Sequence, residues 1–244
     1  SKSPTWFLKH YSQADAFFVL SSSFKKEMEV WGLTQPIFLT TTKVDDNLIC
    51  SVESVDDCSD NSSCTLLFLA RVEENKGIFV TIQAFKLLQH NNPNIKLKIA
   101  GDGSALDAVK SYVIKENIKN VEFLGNVTGS QLSKAFQSSD IYILPTWHGE
   151  GMPTSILEAM AFGLPVITRP VGGLNDFFDS EKMGSLVDSK NPADFAEAVN
   201  ALLKTPINIK TIADYNKEYA NEHFMASKVA LNIENLLKEI CSCY

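Results

Sequence analysis

Arginine is almost absent from this 244-residue chain, in which only Arg71 and Arg169 occur. Lysine and arginine together number 22 against 29 acidic residues, so the formal net charge is −7. Binding to nucleic acid requires a basic surface, which this composition argues against unless the charges are strongly segregated. The composition therefore predicts no nucleic-acid partner.

The chain also lacks an apolar run long enough to cross a bilayer, and it lacks a Cys-x-x-Cys pair. Its cysteines are odd in number, and no histidine stands at ligand spacing from any of them. We therefore predict neither a disulfide framework nor a metal site, and a soluble protein of the reducing cytoplasm. The five cysteines are Cys50, Cys58, Cys64, Cys241 and Cys243.

The given residues open Ser1-Lys2-Ser3, with neither an initiating methionine nor the pattern of a signal peptide. We expect a processed or truncated chain. Its length suffices for one large or two small domains, and a hydrophobic fraction of 45% allows a substantial core.

The alternation of apolar strands with amphipathic helices predicts an α/β protein with a Rossmann-like, doubly wound parallel sheet. Residues 64–205 carry this pattern in full. Residues 1–40 hold two strand-and-helix repeats, too few for a sheet of their own size, and read as the tail of an N-terminal domain. Residues 41–63, rich in threonine, serine, asparagine and aspartate, predict a linker, and residues 206–244 predict C-terminal helices.

Several helix starts are marked by capping residues. Ser21 and its two following serines predict one helix start, and Ser104 predicts another. Asn191 followed by Pro192 predicts a third. Because ligands of such sheets bind at the carboxyl ends of the strands, the loops before these helices are the places to search for a site.

The most informative stretch of the sequence is the loop and helix between Trp147 and Gly163. Glycines open the loop, a helix is predicted to begin at about Pro153, and Gly163 ends it before a short buried strand at 165–168. The start of a helix presents unpaired backbone N–H groups and the positive end of the helix dipole. Such a helix start favours a phosphate.

Two glutamates occupy different places in this stretch. Glu150 lies in the loop before the helix, whereas Glu158 lies inside the helix among apolar residues. Carboxylates accept hydrogen bonds from hydroxyls. Two carboxylates beside a helix start that favours phosphate therefore predict a protein that binds a sugar nucleotide. The alternative for each residue alone is structural: Glu150 complements the helix dipole and Glu158 pairs with a nearby lysine.

Further polar residues follow other predicted strands. Arg71 and Lys76 come after the first strand of the main domain, where a guanidinium and an ammonium can stabilise a diphosphate. A solvated surface position is the alternative for Lys76. The run Gly101-Asp102-Gly103 follows the next strand and allows either a close approach to a ligand or simply a turn.

With these residues, the chain resembles the family 4 retaining glycosyltransferases of the GT-B fold. The resemblance rests on a glutamate followed eight positions later by a second one within Leu-Glu-Ala-Met-Ala-x-Gly-x-Pro-Val, which here are Glu150 and Glu158. It implies that Glu150 contacts hydroxyls of the donor sugar and that Glu158 contacts the ribose. It also implies that Arg71 and Lys76 bind the donor phosphates, so that Glu150, Arg71 and Lys76 are the catalytic candidates.

The resemblance extends the predicted donor site to other strand ends and to the loop before the central helix. It implies that the base is bound after the strand at 121–123, largely by backbone groups. The remaining donor-binding residues implied in this way are Gly101, Asp102, Gly103, Asn126, Val127, Gly151, Met152, Pro153 and Thr154.

The implied activity is metal-independent transfer of a sugar, with retention, from a nucleoside diphosphate sugar to a glycan or a lipid-linked glycan. No cofactor is implied beyond the donor substrate. Assembly of polysaccharide or lipopolysaccharide is the implied setting, and a lipid-linked acceptor would bring the protein to the inner face of the membrane. The sequence departs from the family at its linker, where Thr41-Thr42-Lys43-Val44-Asp45 replaces the usual Pro-Asn-Gly-Val-Asp.

Other functions stay open at this point. Most of the acceptor domain, including the family's usual active-site histidine, is not in the sequence, so a sugar-nucleotide-binding module or fragment without transfer activity is the main alternative. A sugar-nucleotide epimerase is another. A nicotinamide oxidoreductase requires Gly-x-Gly-x-x-Gly after the first strand, and residues 71–77 do not supply it. His148 suits acid–base chemistry, but a positioning role in the loop is the preferred interpretation.

Overall fold

A computed structural model describes residues 4–11, 13–50, 64–149 and 151–242 of the chain. The strands are β1 (Phe17–Val19), β2 (Ile37–Leu39), β3 (Thr65–Leu69), β4 (Lys96–Ala100), β5 (Val121–Gly125), β6 (Ile141–Leu144), β7 (Val166–Thr168) and β8 (Gly184–Leu186). The helices are α1 (Pro4–Tyr11), α2 (Ser22–Val30), α3 (Asp46–Cys50), α4 (Ile78–Asn91), α5 (Leu106–Lys115), α6 (Ser130–Gln137), α7 (Thr154–Ala161), α8 (Pro192–Leu203), α9 (Pro206–His223) and α10 (Ala226–Ser242). Two 3₁₀ turns, Glu74–Lys76 and Gly172–Asp176, follow β3 and β7.

The described residues form one six-stranded parallel sheet in the order β5-β4-β3-β6-β7-β8. The predicted doubly wound α/β fold is therefore confirmed. The chain first winds from β3 towards β5 and then crosses back to continue from β6 towards β8. The strand order thus reverses between β3 and β6, which is the point where such sheets bind ligands.

The core of this sheet is apolar because its central strands are covered on both faces. All four residues of β6 are buried, and so are four of the five in β3. On one face α4 contacts α5 and α8, and on the other α7 contacts α9. Phe136 of α6 stacks on Phe162 at the end of α7 with ring centroids 5.0 Å apart, which places α6 beside α7. Helices on both faces keep the strand ends free for a site.

The first strands form a separate, two-stranded parallel sheet, β1-β2, with a small core of its own. That core consists of Val19, Met28, Leu33 and Ile37. The main domain reaches this segment through Asp176, whose carboxylate accepts hydrogen bonds from the backbone N–H of Ser22, at 2.6 Å, and from its hydroxyl. A carboxylate at the start of α2 satisfies an otherwise unpaired amide and suits the helix dipole.

The segment predicted as a linker is described as far as residue 50. Val44 is fully buried and pairs with the end of α9 and the start of α10, where its N–H donates to Phe224 O at 2.8 Å and its carbonyl accepts from Ala226 N at 2.9 Å. Helix α3 follows, and Leu48 of this helix is buried. Residues 51–63 lie outside the described part of the chain.

The capping predictions have mixed outcomes. Ser21 accepts a hydrogen bond from Phe24 N and Asn191 from Ala193 N, so both N-caps are confirmed. The prediction for Ser104 is wrong, because α5 begins at Leu106 after Ala105. The N–H of Ala105 donates to the Val72 carbonyl at 3.0 Å, which ties the loop before α5 to the loop after β3. Ala105 therefore becomes the N-cap residue, and Ser104 lies one position before it.

Among the described helices, none combines the length and the apolar character that crossing a membrane requires.

Candidate functional site

The loops that follow β3 and β6 meet at the switch point of the sheet and are joined through one residue, Asn75. Its backbone carbonyl accepts hydrogen bonds from Trp147 N at 2.9 Å and His148 N at 3.1 Å, and the hydroxyl of Thr146 lies 3.3 Å away. Its side-chain Nδ2 lies 3.1 Å from Nδ1 of His148. The two loops therefore form one unit at the carboxyl edge of the sheet.

Gly77 is required where these loops touch. Its φ is +82°, in the left-handed region, and a β-carbon on it would overlap the carbonyl of Pro145. The same glycine precedes α4, whose Thr81 N–H and hydroxyl both bond to the Gly77 carbonyl. The close approach of backbone to backbone explains why a glycine follows Lys76.

Helix α7 begins beside these loops with uncapped amides. Pro153 is the N-cap residue and provides no side-chain cap. The helix was predicted to begin at about Pro153, and its first helical residue is Thr154. The N–H of Ile156 bonds to the Pro153 carbonyl at 3.1 Å, whereas Thr154 N and Ser155 N make no hydrogen bond within the described residues. Two free N–H groups at the positive end of a helix are suited to a phosphate.

Tyr142 fixes the start of α7 against the strands. Its hydroxyl lies 2.7 Å from the Ser155 hydroxyl and 2.9 Å from the carbonyl of Leu69, the last residue of β3. The ring itself is fully buried, so the hydroxyl needs these partners. One side chain therefore ties together β3, β6 and the first turn of α7.

Glu158 lies one turn further along α7 and is largely buried. It forms no hydrogen bond or ion pair with any described residue, so the alternative in which it pairs with a lysine finds no support there. Burial raises the pKa of this carboxyl from its usual 4.5 to about 7. A buried carboxylate without a protein partner is costly, and hydroxyl groups of a ligand would reduce that cost.

The two predicted cations differ in their surroundings. Arg71 has a side chain that is 59% exposed, and its Nη1 lies 2.9 Å from Glu73 Oε1. Lys76, in the 3₁₀ turn before Gly77, is only 8% exposed. Both follow β3 at the switch point, but an anion would have to compete with Glu73 for Arg71.

The need for glycine at positions 101 and 103 has a structural explanation that involves no ligand. Gly101 has a φ of +127°, and a β-carbon on it would overlap the carbonyl of Ala70. A β-carbon on Gly103 would lie 2.5 Å from Val72 O. These contacts hold the loop after β4 against the loop after β3, with Val72 N bonded to Asp102 O at 2.9 Å. Their predicted role in binding the donor stays a prediction.

The remaining predicted residues are spread along the same edge. Asn126 is exposed after β5, and Val127 packs on the core and lines a cavity of about 340 Å³ with Leu124 and Lys134. In the loop before α7, Gly151 and Thr154 are exposed whereas Met152 and Pro153 are buried. Glu150 lies outside the described residues, so its place relative to Glu158 stays a prediction.

Sequence reasoning did not single out Asn75, Tyr142 or Ser155. A tyrosine inside the apolar strand β6 was a usable signal, because a buried hydroxyl requires a partner. Asn75, between a glutamate and a lysine, gave no signal. Across the described ranges, no three or more His, Cys, Asp and Glu side chains stand close enough together to hold a metal ion.

The described residues form a parallel sheet with the 3-2-1-4-5-6 strand order, and at the point of reversal they leave helix amides free and one carboxyl without a described partner. This arrangement is typical of nucleotide-binding α/β proteins. The family comparison is more specific. Residues 59–221 match the family model described as glycosyl transferases group 1. The chain therefore belongs to this family of glycosyltransferases, family 4 with the GT-B fold, and the resemblance in its sequence is confirmed.

Individual relatives agree with this assignment. The chain is 26% identical over 174 residues to an uncharacterised glycosyltransferase of Methanocaldococcus jannaschii, covering 71% of this chain and 48% of that protein. It is 32% identical over 147 residues to the D-inositol 3-phosphate glycosyltransferase of Pseudarthrobacter chlorophenolicus, covering 58% and 34%. The chain thus spans about half or less of the length of these relatives.

A similar fold is seen in the crystal structure of HepE from Anabaena in complex with UDP-glucose. The TM-score is 0.80 at 19% identity, covering 97% of this chain and 67% of that one. At this identity the match shows the fold alone, and it includes the small N-terminal sheet as well as the large one.

Proposed function

We propose that this chain binds a nucleoside diphosphate sugar at the β3–β6 switch point and supplies the donor half of a retaining glycosyltransferase. The observation that carries the proposal is the combination on α7 of uncapped N-terminal amides and Glu158, a largely buried carboxyl that has no partner among the described residues. Amides suit the diphosphate and the carboxylate suits ribose hydroxyls. The two groups lie about one helical turn apart, which matches neighbouring parts of one nucleotide.

Catalysis by this site would consist of stabilising the leaving group. As the glycosidic bond breaks, negative charge accumulates on the diphosphate, and donors already aimed at that charge lower the barrier. Arg71, Lys76 and the amides of Thr154 and Ser155 are the donors that the chain offers. Arg71 would exchange its contact with Glu73 for the phosphate, since that ion pair is largely exposed and therefore weak.

Within this proposal Glu150 orients the sugar ring and Glu158 holds the ribose. The base would lie towards β5, on the side of the proposed site that holds Gly101, Asp102, Gly103, Asn126 and Val127. Uridine diphosphate sugars are the first donors to test, because the structurally similar HepE binds UDP-glucose. The acceptor is a glycan or a lipid-linked glycan, and in the latter case the protein works at the inner face of the membrane.

Calorimetric titration of this chain with UDP, UDP-glucose and UDP-N-acetylglucosamine tests the proposal. We expect saturable binding of at least one sugar nucleotide, and a rise in melting temperature that follows its concentration. Glu158→Ala should weaken every donor that binds. If no nucleoside diphosphate or sugar nucleotide binds, the proposed site is wrong.

A sugar-nucleotide-binding module without transfer activity is the second candidate. The chain spans 48% and 34% of the two relatives compared above, so transfer is tested separately from binding. An assay of donor hydrolysis separates the two functions. Release of free sugar from the bound donor supports a transferase, whereas binding without any release supports the module.

A further inference from the structure

Asn75 uses both its backbone and its side chain on the loop after β6. The carbonyl binds the amides of Trp147 and His148, which fixes the backbone of that loop. The side-chain Nδ2 then faces Nδ1 of His148 at 3.1 Å, which fixes the ring. The His148 backbone N–H is held a second time by Thr146 Oγ1 at 3.2 Å. Both the backbone and the ring of His148 are therefore restrained.

The direction of the Asn75–His148 hydrogen bond decides the form of the imidazole. The amide nitrogen of Asn75 faces Nδ1 of His148, and because an amide nitrogen only donates, this arrangement requires an Nδ1 that accepts and carries no proton. A neutral imidazole whose Nδ1 accepts has its proton on Nε2. Nε2 makes no hydrogen bond with any described residue, and the His148 side chain is only partly buried. The ring thus offers a fixed N–H donor at the carboxyl edge of the sheet.

We propose that Asn75 is a positioning residue that holds His148 as its Nε2–H tautomer, so that this N–H donates to a hydroxyl of the donor sugar. The inference rests on the proposed function and adds to it a pair of residues that selects the sugar. His148 lies in the loop between β6 and α7. The proposed function assigns the first amides of α7 to the diphosphate, to which the donor sugar is attached, so a donor in this loop lies on the side of the sugar.

Holding the tautomer before the donor arrives has a physical benefit. A free imidazole divides its population between two tautomers and several ring orientations, and binding would have to select one of them. A ring already held by Asn75 loses less freedom on binding, which strengthens the contact without a new interaction. The same type of support from a neighbouring residue orients histidines in metal sites.

The first test measures the tautomer directly. The chain contains four histidines, so ¹⁵N-histidine labelling gives few signals, and His148→Gln identifies those of His148. At about pH 8 we expect the wild-type ring to carry its proton on Nε2. Asn75→Asp replaces the amide donor with an acceptor of the same shape, so the proton should move to Nδ1. Asn94→Asp, in an exposed turn before β4, controls for the added charge.

The second test measures donor binding. Asn75→Ala, which removes the amide donor without adding a charge, and His148→Asn should each weaken a sugar nucleotide about tenfold while leaving the bare nucleoside diphosphate within about twofold, the loss expected for one hydrogen bond. His148→Gln should retain more affinity than His148→Asn, because a glutamine amide can take the place of Nε2 and an asparagine amide that of Nδ1. Rescue of this kind is not expected from a residue that only packs.

The outcomes separate this inference from the proposed function. If no sugar nucleotide binds the wild-type chain, the proposed function fails, and the donation to the sugar fails with it. If the donor binds but the wild-type ring carries its proton on Nδ1, or Asn75→Asp leaves the tautomer unchanged, the positioning role is overturned. Equal losses for the sugar nucleotide and the bare diphosphate would overturn the contact with the sugar.

Discussion

The backbone carbonyl of Leu20 packs against the α-carbon of Gly173 so closely that a β-carbon on this glycine would overlap the carbonyl oxygen. The contact joins the end of β1, in the N-terminal segment, to the 3₁₀ turn after β7. Gly151 lies at the same junction, since its carbonyl accepts from Gly173 N at 2.8 Å and its α-carbon faces the Leu20 side chain. The loop before α7 is therefore positioned by the N-terminal segment as well as by its own domain.

Gly173→Ala should consequently destabilise the protein by about 1 to 3 kcal/mol, the usual cost of inserting a methyl group into a packed region. The backbone of Gly173 is outside the left-handed region, so the expected loss is steric. Urea unfolding followed by circular dichroism measures it. Gly149→Ala is the control, since no atom lies within 4 Å of the added β-carbon. Equal stability of the two variants would mean that Leu20 moves aside freely.

Glu158→Gln should stabilise the ligand-free protein at high pH. Burial raises the pKa of Glu158 to about 7, so between about pH 4.5 and 7 the folded state holds a proton that the unfolded state has lost. Stability therefore falls as the pH rises through this window, and above it the charged group costs roughly 3 kcal/mol. Glutamine removes that cost at about pH 8 and changes little at about pH 4.5.

Urea unfolding at both pH values measures the difference in the free energy of unfolding. Glu197→Gln, on an exposed position of α8, serves as the matched control and should show no comparable dependence on pH. A gain from Glu158→Gln that is the same at both pH values would contradict burial of a charge as the cause.

The same residue should make nucleoside binding depend on pH. A charged carboxylate accepts stronger hydrogen bonds from ribose hydroxyls than a protonated one. We expect the affinity for a uridine nucleotide to fall as the pH decreases through about 7 in the wild-type protein. In Glu158→Gln the affinity should be lower and nearly independent of pH over this range. Titration with uridine, which carries no titrating phosphate, isolates this contact.

Arg71→Ala should weaken a nucleoside diphosphate by about tenfold or more and a nucleoside hardly at all, because a hydrogen bond between charged groups contributes roughly 1.5 to 3 kcal/mol. Glu73→Gln should have the opposite effect, since it frees the guanidinium from its present partner. Calorimetric titration with uridine and UDP compares them. If Arg71→Ala weakens uridine as much as UDP, Arg71 has no specific role at the phosphates.

We expect Glu150 and Glu158 to bind different parts of the donor. Glu158→Ala is expected to weaken UDP and UDP-sugars alike, whereas Glu150→Ala should reduce the preference among sugars and leave UDP almost unchanged. Binding constants for UDP and two UDP-sugars, measured with both variants, test this. Similar losses of UDP affinity in both variants would contradict the prediction that Glu158 binds the nucleotide and Glu150 the sugar.

The sequence by itself determined the sheet, most of the helix starts and the family. Apolar strands alternating with amphipathic helices dictate a parallel sheet, because only crossover connections can join such strands. Ser21 and Asn191 could be recognised as caps because a cap acts on amides two or three residues away. The pair Glu150 and Glu158 was visible for a similar reason, since its spacing within one loop and helix is local.

The tertiary structure alone decided which loops meet. Strand β3 lies beside β6, about 75 residues further along the chain, and this pairing brings Asn75 to His148 and Tyr142 to Leu69. It also decided that Glu158 has no described partner and an elevated pKa, because burial depends on everything packed around α7. Ser104 failed as a cap for the same reason: the start of α5 is set by the bond from Ala105 to Val72, a contact between loops that no local pattern encodes.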